Sequence, residues 1–432
     1  MRNNTFTYDR QHCRHSFKCF FFSLVLASHF EHLSVSSVFK LNKLPRSYSC
    51  SQSPVRVSQL RFVHWHSRVV VPGLGLTAWW RLQAGAGEAE GDAEGAWPRR
   101  VVSGVQPTGT MHIGNYFGAV RRCVRLQRQG DDLTLFVADL HSLTTHQGEV
   151  LRARVLDTAA LALAAGAEPE RATLFVQSAV PRHAELCWLL ACVGTQARLQ
   201  QLPQYREKAA AGGVSGPGGA REVPLGLLLY PVLQAADVLA HAATHVPVGR
   251  DQLQHLQLAA HLARAFRRRF GPAFPVPRPL LAEDGSDRLL SLRDPTKKMS
   301  KSDPDPKSRI LLTDTEAEIR LKVRKAVTDC TPEVTFEPAA RPGVANLLAM
   351  HCLAADKLPE EAVLEAEGLS TAQYKRVVAD ALCEHLAPLR ERYERLRARE
   401  ALLRDVLRHG AVRARARADD TYARVAALAG LR

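Results

Sequence analysis

The chain has 432 residues, 46% of them hydrophobic, with 58 Lys and Arg against 43 Asp and Glu, a formal net charge of +15. That length is enough for two or three domains with a sizeable core, and the charge implies a polyanionic partner, a basic targeting segment, or both. Nine cysteines with no CxxC pair and no metal-like spacing to His speak against a disulfide framework or a zinc site, and no apolar stretch is long enough to cross a membrane.

The charge is unevenly spread. Residues 1–87 hold 11 Lys and Arg against Asp9 and Glu31, a net of +9, so the remaining 345 residues carry +6. This first stretch is rich in Arg, Ser and His, which is the composition of a mitochondrial targeting region. A secretory signal is the competing reading, because Cys19 to Ala27 is an apolar run behind Lys18. Basic residues that continue well past that run favour the mitochondrion. A translated upstream region outside the mature protein is a third reading. Residues 83–96 are small and acidic and read as a flexible linker, so fold reasoning starts near Trp97.

From there, Arg100–Val105 reads as a strand, followed by a turn punctuated by Gly104, Pro107 and Gly109 and then a helix from about Ile113 to Arg128. Leu133 to Ala138 is a compact apolar run ending at Asp139, typical of a strand buried on both faces. A helical pattern over 149–165 stops at Gly166, and Thr173–Gln177 is the next strand. Strand and helix in alternation predict right-handed crossovers and a doubly wound parallel sheet, with ligands at the carboxyl ends of the strands. Residues 183–210 read as helical, and 211–224 as a Gly- and Pro-rich loop. Leu225 to His241 is an apolar helix with one interior acid, Asp237. A short strand and turn at 246–249 precede a helix over 252–270. After residue 310 the pattern is helical almost throughout, over 315–327, 343–355, 359–367, 371–409 and 411–429. The last two carry Arg390, Arg392, Arg395, Arg397, Arg399, Arg413, Arg415 and Arg417, which suits either a nucleic-acid backbone or a solvated helix surface. Cys123, Cys187, Cys192, Cys330, Cys352 and Cys383 lie in apolar or helical contexts and read as reduced, buried thiols.

Two stretches carry chemistry. Lys298-Met299-Ser300-Lys301-Ser302 lies in a polar loop between Pro295 and Pro304. Its ammonium groups and hydroxyls suit a pyrophosphate, although a solvated lysine-rich loop has the same composition. Far upstream, the turn after Val105 leads into His112-Ile113-Gly114-Asn115. A turn between strand and helix collects backbone N–H groups and a helix N-terminus at one point, which favours an anion.

Together these two motifs resemble the signatures of class I aminoacyl-tRNA synthetases. The wording SGVQPTGTMHIGN, GRDQLQHL and DPTKKMSKSDP is similar to the tryptophanyl-tRNA synthetase family, from about residue 100 to the C-terminus. The resemblance implies a Rossmann-like catalytic domain over 97–290 that binds nucleotide and amino acid. It also implies a KMSKS loop over 291–310 and an α-helical, anticodon-binding domain over 311–432, behind a targeting extension and linker over 1–96. The implied reaction activates L-tryptophan with ATP to the adenylate plus pyrophosphate, then charges tRNA(Trp). The implied setting is the mitochondrial matrix, as a homodimer, with Mg²⁺ accompanying ATP and neither a tightly bound metal nor a membrane partner.

The amino-acid carboxylate is already a nucleophile, so positioning and charge stabilisation supply the catalysis. The resemblance assigns His112, Asn115, Lys298, Lys301 and Lys208 to that role. It lines the ATP site with Gln106, Pro107, Thr108, Gly114, Gly249, Arg250, Asp251, Leu289, Met299, Ser300 and Ser302. An indole N–H can only donate, so a buried acceptor selects it over a phenyl ring, and Asp237 is that acceptor unless nearby backbone merely satisfies it. His141, Tyr230, Val246, Val248 and Gln252 complete the pocket, and His255 completes the DQxxH pattern. The sequence departs from the family at Arg250, where an acid is usual, and at Val102, Arg206 and Gln234. A tyrosine-activating relative shares both signatures, and a non-catalytic RNA-binding paralogue would share the fold.

Overall fold

The computed structural model describes residues 97–144, 149–206, 214–215, 221–222, 224–282 and 284–432. They belong to one unit, Glu88–Arg432. Residues 1–96, read from the sequence as a targeting extension and linker, and Lys208 lie outside the described residues, as does most of the 211–224 loop. Of that loop, Val214–Ser215 (β4) and Arg221–Glu222 (β5) pair antiparallel.

The main sheet has five parallel strands in the order β3-β2-β1-β6-β7: β1 Arg100–Val105, β2 Asp132–Val137, β3 Ala172–Val176, β6 His245–Pro247 and β7 Arg278–Leu280. The sequence reading anticipated all but β7, whose two exposed residues and central proline carry no apolar run. In register, Val105, Val137 and Val176 end their strands side by side. The chain leaves β1 in opposite directions towards β2 and β6, so the crevice between β1 and β6 is the topological switch point.

The helix after β1 is less regular than its periodicity predicts. It opens as α1, Ile113–Asn115, passes through a π-helical turn at Tyr116–Val120, and continues as α2, Arg121–Arg128. Short α3 (Asp139–Ser142) follows β2, and α4 (Glu149–Ala164) leads to β3. Then come α5 (Arg182–Ala191), α6 (Gln196–Gln200), α7 (Leu225–Ala240) and α8 (Leu253–Phe270).

The C-terminal region contains α9 (Glu316–Arg324), α10 (Pro342–Ala355), α11 (Pro359–Glu365), α12 (Thr371–Arg397) and α13 (Glu400–Leu428). The break between the last two helices falls at Ala398 and Arg399, not at Gly410, where the sequence alone suggests it. Gly410 sits inside α13 for a steric reason. A Cβ there would stand 1.7 Å from the carbonyl oxygen of Leu174, so only glycine lets the helix lie on β3. The last helix thus returns to the sheet. The C-terminal arginines follow it: Arg413 donates to the carbonyl oxygens of Pro169 and Ala172, Arg415 to that of Ala179, and Arg417 to Thr134 and Asp132. In α12, Arg390 donates to the carbonyl oxygen of Asp314, Arg392 to that of Ala164, and Arg397 to Asp157. Only Arg395 and Arg399 of the eight stay exposed without such an anchor.

One apolar core joins the first signature to the second and to the helices beyond. Met111, Ile113 and Phe117 pack with Leu289, Met299, Ile310 and Leu312, and these with Val344, Leu347, Tyr374 and Leu382. All six described cysteines are free thiols; Cys123 and Cys383 are buried as expected, whereas Cys192 and Cys330 are exposed because each sits in or beside a turn.

Candidate active site

Backbone hydrogen bonds hold the two signatures together. Ile113 N–H donates to Ile310, and Leu312 N–H donates to Met111, at 2.9 and 3.0 Å, forming an antiparallel bridge between His112 and Leu311. A second bridge pairs Leu290 with Lys298, and Met299 N–H donates to Leu289 at 2.9 Å. The side chain of Asn346 clamps Leu290 from α10, accepting from its N–H and donating to its carbonyl. The loop bearing Lys298 and Lys301 is therefore tied at its C-terminal end to the helix N-terminus that bears His112, and at its N-terminal end through Leu289 and Leu290 to α10.

His112 caps α1: its Nδ1 accepts from Asn115 N–H at 3.3 Å. The ring proton then sits on Nε2, which is left to donate. Burial, reinforced by Lys301, Arg309 and Lys298, pushes the His112 pKa down to about 3, so the ring is neutral at physiological pH. Asn115 keeps a buried Oδ1 with no protein partner. Lys301 Nζ donates to Thr108 Oγ1 and to the Gly109 carbonyl, both at 3.2 Å. Burial, with Arg154 nearby, pushes the Lys301 pKa down to about 8. Ser300 and Ser302 hydroxyls pair with each other at 2.9 Å, Pro107 is buried, and Gln106 stands exposed.

Across the crevice, Lys298 Nζ donates to Asp251 Oδ1 at 3.1 Å. Burial would raise the Asp251 pKa, but the Gln252 amide and Lys298 hold it below the usual carboxylate range. Gly249 has no room for a Cβ beside the Asp251 carboxylate, and a Cβ on Gly114 would press on the His112 ring and approach Leu289. Leu289 and Met299 are both buried. Arg250, the departure from the family pattern, faces a buried carboxylate: its Nε lies 3.8 Å from Asp287 Oδ2.

A chain of hydrogen bonds runs from Asp251 to Tyr230, and a ring contact continues it to His141 and Asp237. Gln252 donates to Asp251 Oδ2, while its Oε1 accepts from Gln234 and from His255 Nδ1. His255 Nε2 lies 3.1 Å from the Tyr230 hydroxyl, and the Tyr230 ring meets His141 edge-on. His255 is buried and orients its two neighbours. Val246 is buried and Val248 half-buried, in the same apolar cluster. Asp237 is buried and accepts from His141 Nε2 at 2.7 Å, Gln177 Nε2 at 2.7 Å and His183 Nδ1 at 2.5 Å. Burial works against its charge, but His141 and His183 win and hold the carboxyl well below the usual range. Side chains, not backbone, satisfy this acid.

The structure thus brings together every site residue of the sequence reading except Gln106, whose residue is exposed and whose carbonyl accepts from Thr108 N–H at 2.9 Å, and Lys208, which lies outside the described residues. It adds Arg154, Gln177, His183, Asp287 and Arg309. Gln177 was within reach of the sequence, since it directly follows β3 at a carboxyl end. The others carry no local signal.

Three comparisons identify the family. The model of the family "tRNA synthetases class I (W and Y)" matches residues 96–387. The tryptophan–tRNA ligase of Gloeobacter violaceus is 43% identical over 335 residues, 77% of this chain and 97% of that protein. The crystal structure of tryptophanyl-tRNA synthetase from Mycoplasma pneumoniae superposes with a TM-score of 0.71 at 31% identity, covering 78% of this chain and 99% of that one. The enzyme from Campylobacter jejuni, complexed with ADP and tryptophan, superposes with a TM-score of 0.63 at 29% identity, over 77% of this chain and 100% of that one. Fold and paired signatures define a class I aminoacyl-tRNA synthetase. Within that class, the chain belongs to the tryptophanyl-tRNA synthetase family.

The pKa of Lys301 has a kinetic consequence. A lysine near 8 loses its ammonium as pH rises through that value, so the expected outcome is a fall in kcat/KM for ATP above about pH 8. Lys301→Arg keeps its charge and removes that fall. The same alkaline limb in the arginine variant would exclude Lys301 as its source.

Proposed function

We propose that the chain is a tryptophan–tRNA ligase. The α-carboxylate oxygen of tryptophan bonds to the α-phosphorus of ATP, and the bond from that phosphorus to the bridging oxygen breaks, its electron pair leaving with pyrophosphate. A terminal ribose hydroxyl of tRNA(Trp) then attacks the adenylate carbonyl carbon and AMP leaves. Mg²⁺ arrives with ATP as part of the substrate. His112 donates from Nε2 to phosphate, Asn115 assists it, and Lys298 and Lys301 exchange their protein acceptors for the phosphates as charge develops on the leaving group. Lys208 joins these cations. Gln106, Pro107, Thr108, Ser300 and Ser302 line the phosphate end; Gly114, Leu289 and Met299 receive adenine; Gly249, Arg250 and Asp251 hold ribose.

The observation that carries the specificity is Asp237. Two carboxylate oxygens offer about four acceptor directions, and three donors occupy three of them. The remaining one is on Oδ2, beside His141, and suits an indole N–H. Gln252, Tyr230, Val246 and Val248 form the wall around it. The expected result is ATP–pyrophosphate exchange with tryptophan alone among the twenty amino acids. Asp237→Asn should lower kcat/KM for tryptophan about a hundredfold with KM for ATP unchanged. Exchange with tyrosine would overturn the specificity, and no exchange from folded protein would overturn the activity.

The working form is a homodimer. Trp188 on α5 is 71% exposed, a large apolar side chain that an interface would cover. Sedimentation should give twice the chain mass, and Trp188→Glu should shift it towards monomer; a monomeric wild type refutes this. The setting is the mitochondrial matrix, supported by the +9 net charge of residues 1–87, which precede the family match. Residues 1–87 fused to a fluorescent reporter should carry it into mitochondria; a secreted or cytosolic reporter argues against it. The division into a catalytic region over 97–290, a loop over 291–310 and a tRNA-binding helical region over 311–432 belongs to the same reading.

A further inference from the structure

Behind Asp237 lies a buried row of rings that the reaction itself does not use. His183, on α5, donates from Nδ1 to Asp237 Oδ1 at 2.5 Å. Its other nitrogen, Nε2, faces Nε2 of His241 at 3.0 Å. His241 directly follows the last residue of α7, one helical turn beyond Asp237. Both imidazoles are fully buried; Phe175 packs edge-on against both of them and Phe136 edge-on against His183.

The protons in this row follow a definite order. Asp237 Oδ1 accepts, so the proton between it and His183 must be on Nδ1. Two facing Nε2 atoms share one proton. When His241 supplies it, His183 is held in the tautomer that keeps its own proton on Nδ1. His241 is then left with a bare Nδ1, and that atom is buried without a partner. Burial, with His183, Arg417 and Arg100 nearby, holds the His241 pKa well below the ordinary value, so it acts as a neutral ring.

The consequence is directional. Gln177 and His183 both donate to Oδ1 and fill it. Oδ2 has His141 alone, and the carboxylate cannot turn without breaking two hydrogen bonds on its far side. The open acceptor direction therefore stays on the side of His141 and Tyr230.

We propose that His183, held in one tautomer by His241, is a positioning residue that fixes the Asp237 carboxylate so that Oδ2 accepts the indole N–H of the amino-acid substrate. This deepens the tryptophan–tRNA ligase reading and rests on it. His183 touches no substrate; it acts through Asp237.

The test is ATP–pyrophosphate exchange by the full chain, with KM measured separately for tryptophan and ATP. His183→Phe keeps ring volume and removes both hydrogen bonds. It should raise KM for tryptophan roughly tenfold to a hundredfold, leaving KM for ATP unchanged. His183→Asn places an amide N–H where Nδ1–H stood and should restore most of that loss. An unchanged KM for tryptophan in His183→Phe, a parallel rise in both KM values, or an asparagine variant no better than the phenylalanine one overturns the proposal. If His183→Phe does not fold, His241→Phe decides: a rise in KM for tryptophan alone supports the positioning chain, and an unchanged KM overturns it. A wild-type chain that does not exchange with tryptophan sinks the underlying reading as well. A wild type that exchanges normally beside insensitive His183 variants sinks only this inference.

Discussion

The active site depends on the antiparallel bridge between residues 111–113 and 310–312. It joins segments about two hundred residues apart, and its two hydrogen bonds place a neutral His112 and two lysines around one point. Apolar packing makes it durable. Met111, Ile113, Ile310 and Leu312 are each almost wholly buried, so the bridge cannot open without exposing core. Asp314 secures the far side by accepting from Leu311 N–H and from Lys322. Between residues 293 and 307 the loop buries Met299 alone, while Leu292 and Ile310 pack its two ends into the core. Its lysines are therefore free to exchange acceptors while their backbone stays anchored.

The two ends of the site follow opposite electrostatic logic. At the end bearing the two signatures, burial together with positive neighbours, Arg154 beside Lys301 and Lys301, Arg309 and Lys298 beside the neutral His112, lowers the affinity of Lys301 and His112 for protons. Such a cluster is costly alone and favourable around a polyanion. At the Asp237 end, one carboxylate is held charged inside an apolar cluster by three side-chain donors. A buried acid with that many donors is rigid, and rigidity allows discrimination by hydrogen bonding. The chain from Asp251 through Gln252, His255 and Tyr230 to His141 connects the two ends with polar side chains that satisfy one another.

The helical C-terminal half is not separate from the sheet. The last helix lies on β3, and Gly410 is what permits the approach. Six of eight arginines that composition offers as nucleic-acid contacts anchor α12 and α13 to carbonyls and carboxylates of the same chain. Net charge on a helix reports the number of guanidinium groups, not where they point. Arg250 teaches the same lesson: in the sequence it is a charge reversal, and in space it is half of an ion pair with Asp287.

Strand runs, their alternation with helices, both signatures and the lone acid in an apolar helix were all legible in the sequence, because each is a local pattern of residue type and spacing. Hidden was whatever depends on a partner distant along the chain. β7 is three residues with no apolar run and exists only because β6 offers it an edge. The helix break at Ala398 has no glycine or proline to mark it, while Gly410, which reads as a breaker, is helical because β3 lies beneath it. The donors to Asp237 come from three separate elements, and no spacing rule links them. The sequence by itself determined the fold class and the chemistry at each signature, since side-chain type and hydrophobic period are local properties. Only the tertiary structure decided which charges are paired and which acceptor direction stays open, since both depend on atoms that folding brings together from distant parts of the chain.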